Sequence, residues 1–330
     1  MRHSGRWWGR PLCVAAHPNA CRDDLGFGPA AAPGIMDRKP IMPAPLTDQQ
    51  VAAYAADGLL LVRRLFAPDE AALLRDAARQ DRTLNAHAFS RDDGYGRRIR
   101  LTLWNRAGDD IFGLATRSRR LVDAVEQLIG APVYHYHSKV VMKQPHDGGA
   151  WAWHQDFGYW HQNAILYPRL ASTLIALHPA NRANGCREVI RGPHHCGRLN
   201  HQLSCEQATA DPSYVEHLLT REPIIYGEME PGDVLFMHCN TLHRSGPNTT
   251  DQPRWLMISC YNATDNRPFK RAPHGGYEPL VKVDDDALRT AGARLMTDDA
   301  DWLTQPNTQG LDDALKRDAP AKRHRRWWRW

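Results

Sequence analysis

The stretch "VYHYHSKVVMKQPHDGG", residues 133–149, decides the fold. It opens after the break Gly130–Ala131–Pro132 and runs for eleven residues rich in β-branched and aromatic side chains. A Pro–His–Asp–Gly–Gly turn at 145–149 then stops it. Such a run bounded by turn formers predicts a strand over Val133–Lys143. Similar short runs follow at Ala171–Leu177, Glu188–Ile190, Ile224–Ile225, Val234–Met237 and Trp255–Tyr261. Turn signals part them, among them Asn184–Gly185, Arg191–Gly192–Pro193, Pro231–Gly232–Asp233 and Gly246–Pro247–Asn248. Many short strands with Gly/Pro turns predict a double β-sheet, a sandwich or barrel.

Upstream the pattern is helical. Thr47 can cap a helix over Thr47–Asp57, with Gln50 three residues on. Gly58 ends it, a strand is expected over Leu59–Phe66, and a second helix over Pro68–Gln80, with Asp69 and Glu70 in its first turn. Ile111–Ile129 predicts one or two further helices. Residues 200–222 are polar and predict a helical insertion or a loop. Helices first and strands second point to helices buttressing a sheet.

The chain has 330 residues with 42% hydrophobic and 24% charged, which excludes wholesale disorder, collagen and a disulfide scaffold. No stretch is apolar enough for a membrane-spanning helix. The net charge of +5 sits at the ends: residues 1–45 carry +3, residues 316–330 carry +6, and the region between is −4. A nucleic-acid partner is therefore not expected for the folded domain. Seven cysteines, with no C-x-x-C pair, argue for reduced thiols and a cytoplasmic location. The expected organisation is a disordered leader over 1–45, one catalytic domain over 46–310, and a disordered basic Trp/Arg tail over 311–330. A targeting role for the leader is the alternative.

Chemistry concentrates in Trp151–Trp160, "WAWHQDFGYW". On an extended strand His154 and Asp156, two residues apart, share a face, so both can meet one metal ion. A third ligand must come from elsewhere. His243 is the better candidate; His238 directly follows an apolar run, as a packed strand-end histidine does. Two histidines and one carboxylate form the facial triad of non-haem Fe(II) oxygenases, which keeps positions open for co-substrate and oxygen. Arg254 lies eleven residues after His243, at the start of the next strand. A guanidinium there suits the far carboxylate of 2-oxoglutarate, with Ser245 as a further donor.

These blocks, in order, resemble the phytanoyl-CoA dioxygenase family, which includes the ectoine hydroxylases. The resemblance rests on Asp57–Val62, on Trp153–Trp160, on Asn184–His194, on Gly232–Phe236, and on His243–Asn248 followed by Arg254, covering roughly 46–270. It implies a double-stranded β-helix (a cupin-like jelly roll) with flanking helices. It implies Fe(II) on His154, Asp156 and His243, 2-oxoglutarate on Arg254 and Ser245, and O2 as oxidant. Gln144 and Thr173 occupy polar positions near the co-substrate in relatives, and Trp160 an aromatic pocket position. Related halogenases lack the carboxylate, so Asp156 favours hydroxylation of a C–H bond in a small molecule, with desaturation or ring chemistry open. The chain departs from the family where Pro193 replaces a serine and where His178 replaces a common acidic residue. Two other readings use the same residues: a catalytically silent jelly roll that binds a ligand, and a zinc hydrolase. Dependence on Fe(II), ascorbate and 2-oxoglutarate separates the three.

Overall fold

The first eleven residues of the run over 133–149 form a strand inside the larger sheet. The computed structural model describes residues 45–303, apart from 205, 273, 275 and 293. The expected leader and basic tail, but for Pro45, lie outside the described residues. Within them the strands are β1 (Leu59–Val62), β2 (Phe89–Asp92), β3 (Arg98–Trp104), β4 (Val133–Lys143), β5 (Trp151–His154), β6 (Leu170–Ala176), β7 (Arg187–Ile190), β8 (His201–Ser204), β9 (Gln207–Ala210), β10 (Ile224–Gly227), β11 (Val234–His238), β12 (His243–Ser245) and β13 (Arg254–Ala263). The helices are α1 (Asp48–Asp57), α2 (Pro68–Gln80), α3 (Arg82–Ala86), α4 (Ile111–Arg117), α5 (Arg119–Ile129), α6 (Asp156–Trp160), α7 (Pro212–Leu219) and α8 (Ala287–Ala291).

The strands form a seven-stranded sheet, ordered β1-β11-β6-β13-β4-β3-β2, and a four-stranded sheet, ordered β10-β7-β12-β5, all antiparallel. This is the jelly roll, mainly β with flanking α. Strand β4 is buried at nearly every position because both faces of the large sheet are covered. One face carries the helices: Phe112, Leu121 and Val125 pack with Ile175, Phe236 and Met257. The other lines the interior, with Leu174, Leu235, Leu256 and Ile258. The pairing of β13 with β4 shifts by one residue at Cys260/Tyr261. Near that shift Tyr136 joins the interior cluster and the next residue, His137, lines an interior cavity.

Local signals explain the helical layer. Thr47 and Gln50 form the capping box of α1, and Gly58 closes it at φ 78°. Helix α2 keeps its expected bounds. The expected helix over Ile111–Ile129 is two, because Ser118 takes an extended ψ of 138° between them. The expected strand Leu59–Phe66 stops at Val62. There Asp233 takes the Arg63 guanidinium at 2.7 Å and the Arg64 amide at 2.9 Å, and the chain turns with Arg64 at φ 52°. The polar segment 200–222 holds the β8–β9 hairpin and α7 rather than a helix or loop alone. Cys186, Cys196, Cys239 and Cys260 are free thiols. Among the described residues no helix is long and apolar enough to cross a membrane.

Candidate metal centre

Strands β5 and β12 pair so that His154 lies directly opposite His243. Their rings stand 4.2 Å apart. Each Nδ1 faces a main-chain carbonyl two residues back, Ala152 at 2.8 Å and Thr241 at 2.9 Å. A carbonyl accepts only, so Nδ1 carries the proton and Nε2 keeps a free lone pair. Asp156 completes the set. One ligand atom from each of the three residues lies within 4.8 Å of the others, an arrangement that can hold a metal ion.

Asp156 reaches this place by a route other than the expected one. The strand ends at His154, and Asp156 is the first residue of α6. Gln155 makes the break. Its side-chain nitrogen donates to the carbonyls of Gly197 and Asn240, each at 2.8 Å, and its side-chain oxygen accepts from the Leu199 amide at 2.7 Å. Its main-chain amide donates to His201 Nε2 at 2.9 Å. This buried staple turns the chain and leaves the Asp156 carboxylate facing the two imidazoles.

Burial pushes the His243 imidazole down to about 4 and lowers His154 well below its usual value, with the neighbouring His243 adding to the effect. Both rings are therefore neutral at pH 7, the form that binds metal. Burial opposes the charge of Asp156, yet His243, Lys139 and His154 nearby and the Ser172 hydroxyl outweigh it, so its carboxyl falls to about 2. Ser172 Oγ donates to Asp156 Oδ2 at 2.8 Å.

A second group of charges lies along the same interior. Arg254 is fully buried, and the β13–β4 register sets it opposite Lys143. Arg254 Nη2 donates to the Gly185 carbonyl at 2.5 Å, while among the described residues Nε and Nη1 have no partner. Lys143 Nζ donates to the Gly246 carbonyl. Arg187, on β7 beside Ser245, is also buried, and its Nε is unpartnered. Burial and mutual repulsion hold Lys143 well below its ordinary pKa and bring Arg254 down to about 9. Three buried cations without matching carboxylates are costly unless an anion joins them. The orphaned Arg254 nitrogens and this charge surplus fit the carboxylate of a 2-oxo acid.

The remaining sequence candidates separate clearly. Ser245 is buried on β12, opposite Arg187. Trp160 ends α6, buried and edge-on to Tyr136 at 5.6 Å and His137 at 5.8 Å, beside a cavity that His154 and Asp156 also line. Gln144 lies one residue beyond β4, its carbonyl taken by Gly148 in the turn; Lys143 is the residue in register with Arg254. Thr173 is not brought to the site. Its hydroxyl donates to the Ser259 carbonyl, and β6 alternation sends it with Ala171 and Ile175 toward the helices. Its neighbour Ser172 holds Asp156 instead. His238 stands apart, accepting from the Asn240 amide and packed near Tyr54 and His194. Sequence reasoning missed Lys143, Arg187 and Ser172. The signals were a lysine closing an apolar strand and a serine alternating with Leu170 and Leu174.

A jelly roll that sets two neutral histidines and an ionised carboxylate around one point, with unpaired buried cations close by, defines the mononuclear iron dioxygenases that use 2-oxoglutarate and O2. Residues 54–255 match the model of the phytanoyl-CoA dioxygenase family, and the chain belongs to that family. It is 32% identical over 201 residues to the L-proline trans-4-hydroxylase of Streptomyces griseoviridis, covering 54% of this chain and 75% of that one. It is 29% identical over 244 residues to the ectoine dioxygenase of Bordetella parapertussis, covering 67% and 77%. The crystal structure of EctD from S. alaskensis with 2-oxoglutarate and 5-hydroxyectoine superimposes with a TM-score of 0.63 at 28% identity, over 73% of this chain and 89% of that one.

Proposed function

We propose that this protein hydroxylates an unactivated C–H bond of a small organic molecule, with 2-oxoglutarate converted to succinate and carbon dioxide. His154, Asp156 and His243 hold the iron. Arg254 grips the far carboxylate of 2-oxoglutarate, with Lys143 and Ser245 beside it. The observation that carries this reading is the orphaned Nε and Nη1 of buried Arg254 on the strand-lined interior that also holds the triad. Bound to these three residues, iron would supply the activation of dioxygen. The chain does the rest by position. The Ala152 and Thr241 carbonyls keep both imidazoles in one tautomer and orientation. Ser172 fixes the plane of the Asp156 carboxylate. Arg254, held by the Gly185 carbonyl, sets the depth at which the co-substrate enters. Trp160, packed edge-on against Tyr136, forms an aromatic part of the cavity wall.

The test is an anaerobic titration of the Fe(II)-loaded protein with 2-oxoglutarate, read as a visible metal-to-ligand charge-transfer band. The wild type should give the band, His243→Ala should lose it, and Arg254→Ala should need much more 2-oxoglutarate to reach it. No band at saturating 2-oxoglutarate would overturn the proposal. Admission of air should then yield succinate, and the absence of succinate would count equally against it.

A further inference from the structure

The cavity beside the triad contains polar groups that neither metal binding nor co-substrate binding uses. It measures about 110 Å³, and His154 and Asp156 form part of its wall. That is small beside the roughly 300–1,000 Å³ of pockets for drug-sized ligands, so its occupant is compact. Strand β4 supplies both ends of the interior: Lys143 stands at Arg254, whereas Lys139 and His137 line the cavity. Four residues of strand rise set the two lysines' backbones roughly 13 Å apart.

The Lys139 side chain makes no hydrogen bond or ion pair among the described residues. The carboxylate it influences is Asp156, which the metal takes. An ammonium on the wall of a partly buried cavity, with no carboxylate of its own beyond the metal ligand, is matched best by an anion that enters with the occupant. His137 and His274 supply the second feature. Both rings are buried and stacked 4.6 Å apart at 22°. Among the described residues neither nitrogen of His274 has a partner, nor has Nδ1 of His137. Burial holds both imidazoles neutral, His274 down to about 3. A neutral imidazole presents one donor and one acceptor, so this pair waits for a polar group from outside. Tyr159 stands edge-on to His274 at 5.5 Å, and Leu101 and Leu103 complete an apolar wall.

We infer that the substrate is a compact carboxylate that also carries an N–H or O–H group, with Lys139 holding the carboxylate and the His137–His274 pair holding the polar hydrogen. This rests on the proposed function above. The two anchors leave the carbons between them against His154 and Asp156, where oxidation takes place.

The test uses the full chain, loaded anaerobically with Fe(II) and 2-oxoglutarate and titrated calorimetrically with matched probes. The pairs are L-proline and L-prolinamide, 3-hydroxybutyrate and its amide, and 4-hydroxybenzoate and its amide. The charge-transfer band is recorded before any probe is added, so failure of the dioxygenase reading shows at that step and stays distinct from failure of probe binding. At least one acid should bind about tenfold or more tightly than its amide, as expected for a charge-assisted hydrogen bond. Lys139→Met should erase that preference and leave the 2-oxoglutarate midpoint unchanged, and Lys139→Arg should restore it. His274→Phe, checked for folding by its melting curve, should weaken acid and amide alike. Equal binding of acid and amide in every pair, or no binding by any acid, overturns the inference. So does a rise in the 2-oxoglutarate midpoint in Lys139→Met, which would give that lysine to the co-substrate.

Discussion

At the scale of single residues, the site is built from ordinary side chains whose surroundings remove their usual options. Asp156 is held as a carboxylate by its cationic and imidazole neighbours and aimed by one hydroxyl, Ser172 Oγ at 2.8 Å. Removing that hydroxyl leaves the ligand free to rotate. Ser172→Ala should therefore weaken Fe(II) binding about ten- to hundredfold, the range seen when outer partners of metal ligands are lost. Competition with a coloured chelator measures it, and an unchanged affinity would show that Ser172 only fills space. Arg254 makes the converse case. Its Nη2 is fixed by Gly185 and its other two nitrogens are unmatched. In Arg254→Lys the single ammonium cannot reproduce a two-pronged grip, so the 2-oxoglutarate midpoint should rise about tenfold or more even though the charge is kept. A midpoint within twofold of wild type would place the co-substrate elsewhere.

At the scale of elements, the sequence made the strands legible but not how they cooperate. His154, His243 and Arg254 were picked out by residue type and spacing: an H-x-D pair, a histidine beyond the Val234–Met237 run, and an arginine eleven residues further on. Asp156 was found for an incomplete reason. Strand periodicity placed it beside His154, whereas the chain leaves the strand at Gln155, pinned by residues 42 to 85 positions away. No local pattern reports such bonds. Thr173 failed for a related reason: which face of β6 looks inward depends on its pairing with β11 and β13, and the pairing turns Ser172 to the metal. The turn before β7 makes the same point. Gly185 has φ 78°, and a Cβ there would stand 2.2 Å from the Gly246 carbonyl oxygen. That glycine's own carbonyl is the fixed partner of Arg254. Gly185→Ala should thus lower stability by about 1–3 kcal/mol and raise the 2-oxoglutarate midpoint together. Denaturant unfolding and the charge-transfer titration check the two effects, and a loss of stability with no change in the midpoint would separate the turn from the arginine.

At the scale of the whole molecule, the jelly roll and its helical layer bury many titratable groups that are not metal ligands. His135, His178, His201 and His238 are each lowered to about 4, and His274 to about 3, in every case chiefly by burial. Composition alone could not reveal this, since seventeen histidines look alike until the fold decides which lose water. The consequence is a direction of pH dependence. A histidine whose pKa is depressed in the folded state binds its proton more readily when unfolded. Below the unfolded value, near 6.5, the unfolded chain holds more protons, and stability falls as pH falls. The loss continues until the pH reaches the folded values near 4, where the two states hold protons equally. The metal-free protein should therefore be most stable above about pH 6.5 and lose stability steeply between about 6 and 4, with uptake of several protons on unfolding. Urea unfolding at a series of pH values gives the proton number from the slope of unfolding free energy against pH. Replacing His274 by Phe, which cannot titrate, should flatten that slope by about one proton over this range if the variant folds. The same flattening should follow in His135→Phe, whose ring contacts lie on another face of β4. A flat profile from pH 7 to 4 in the wild type would mean that these histidines are solvated in solution and that the interior described here is open to water.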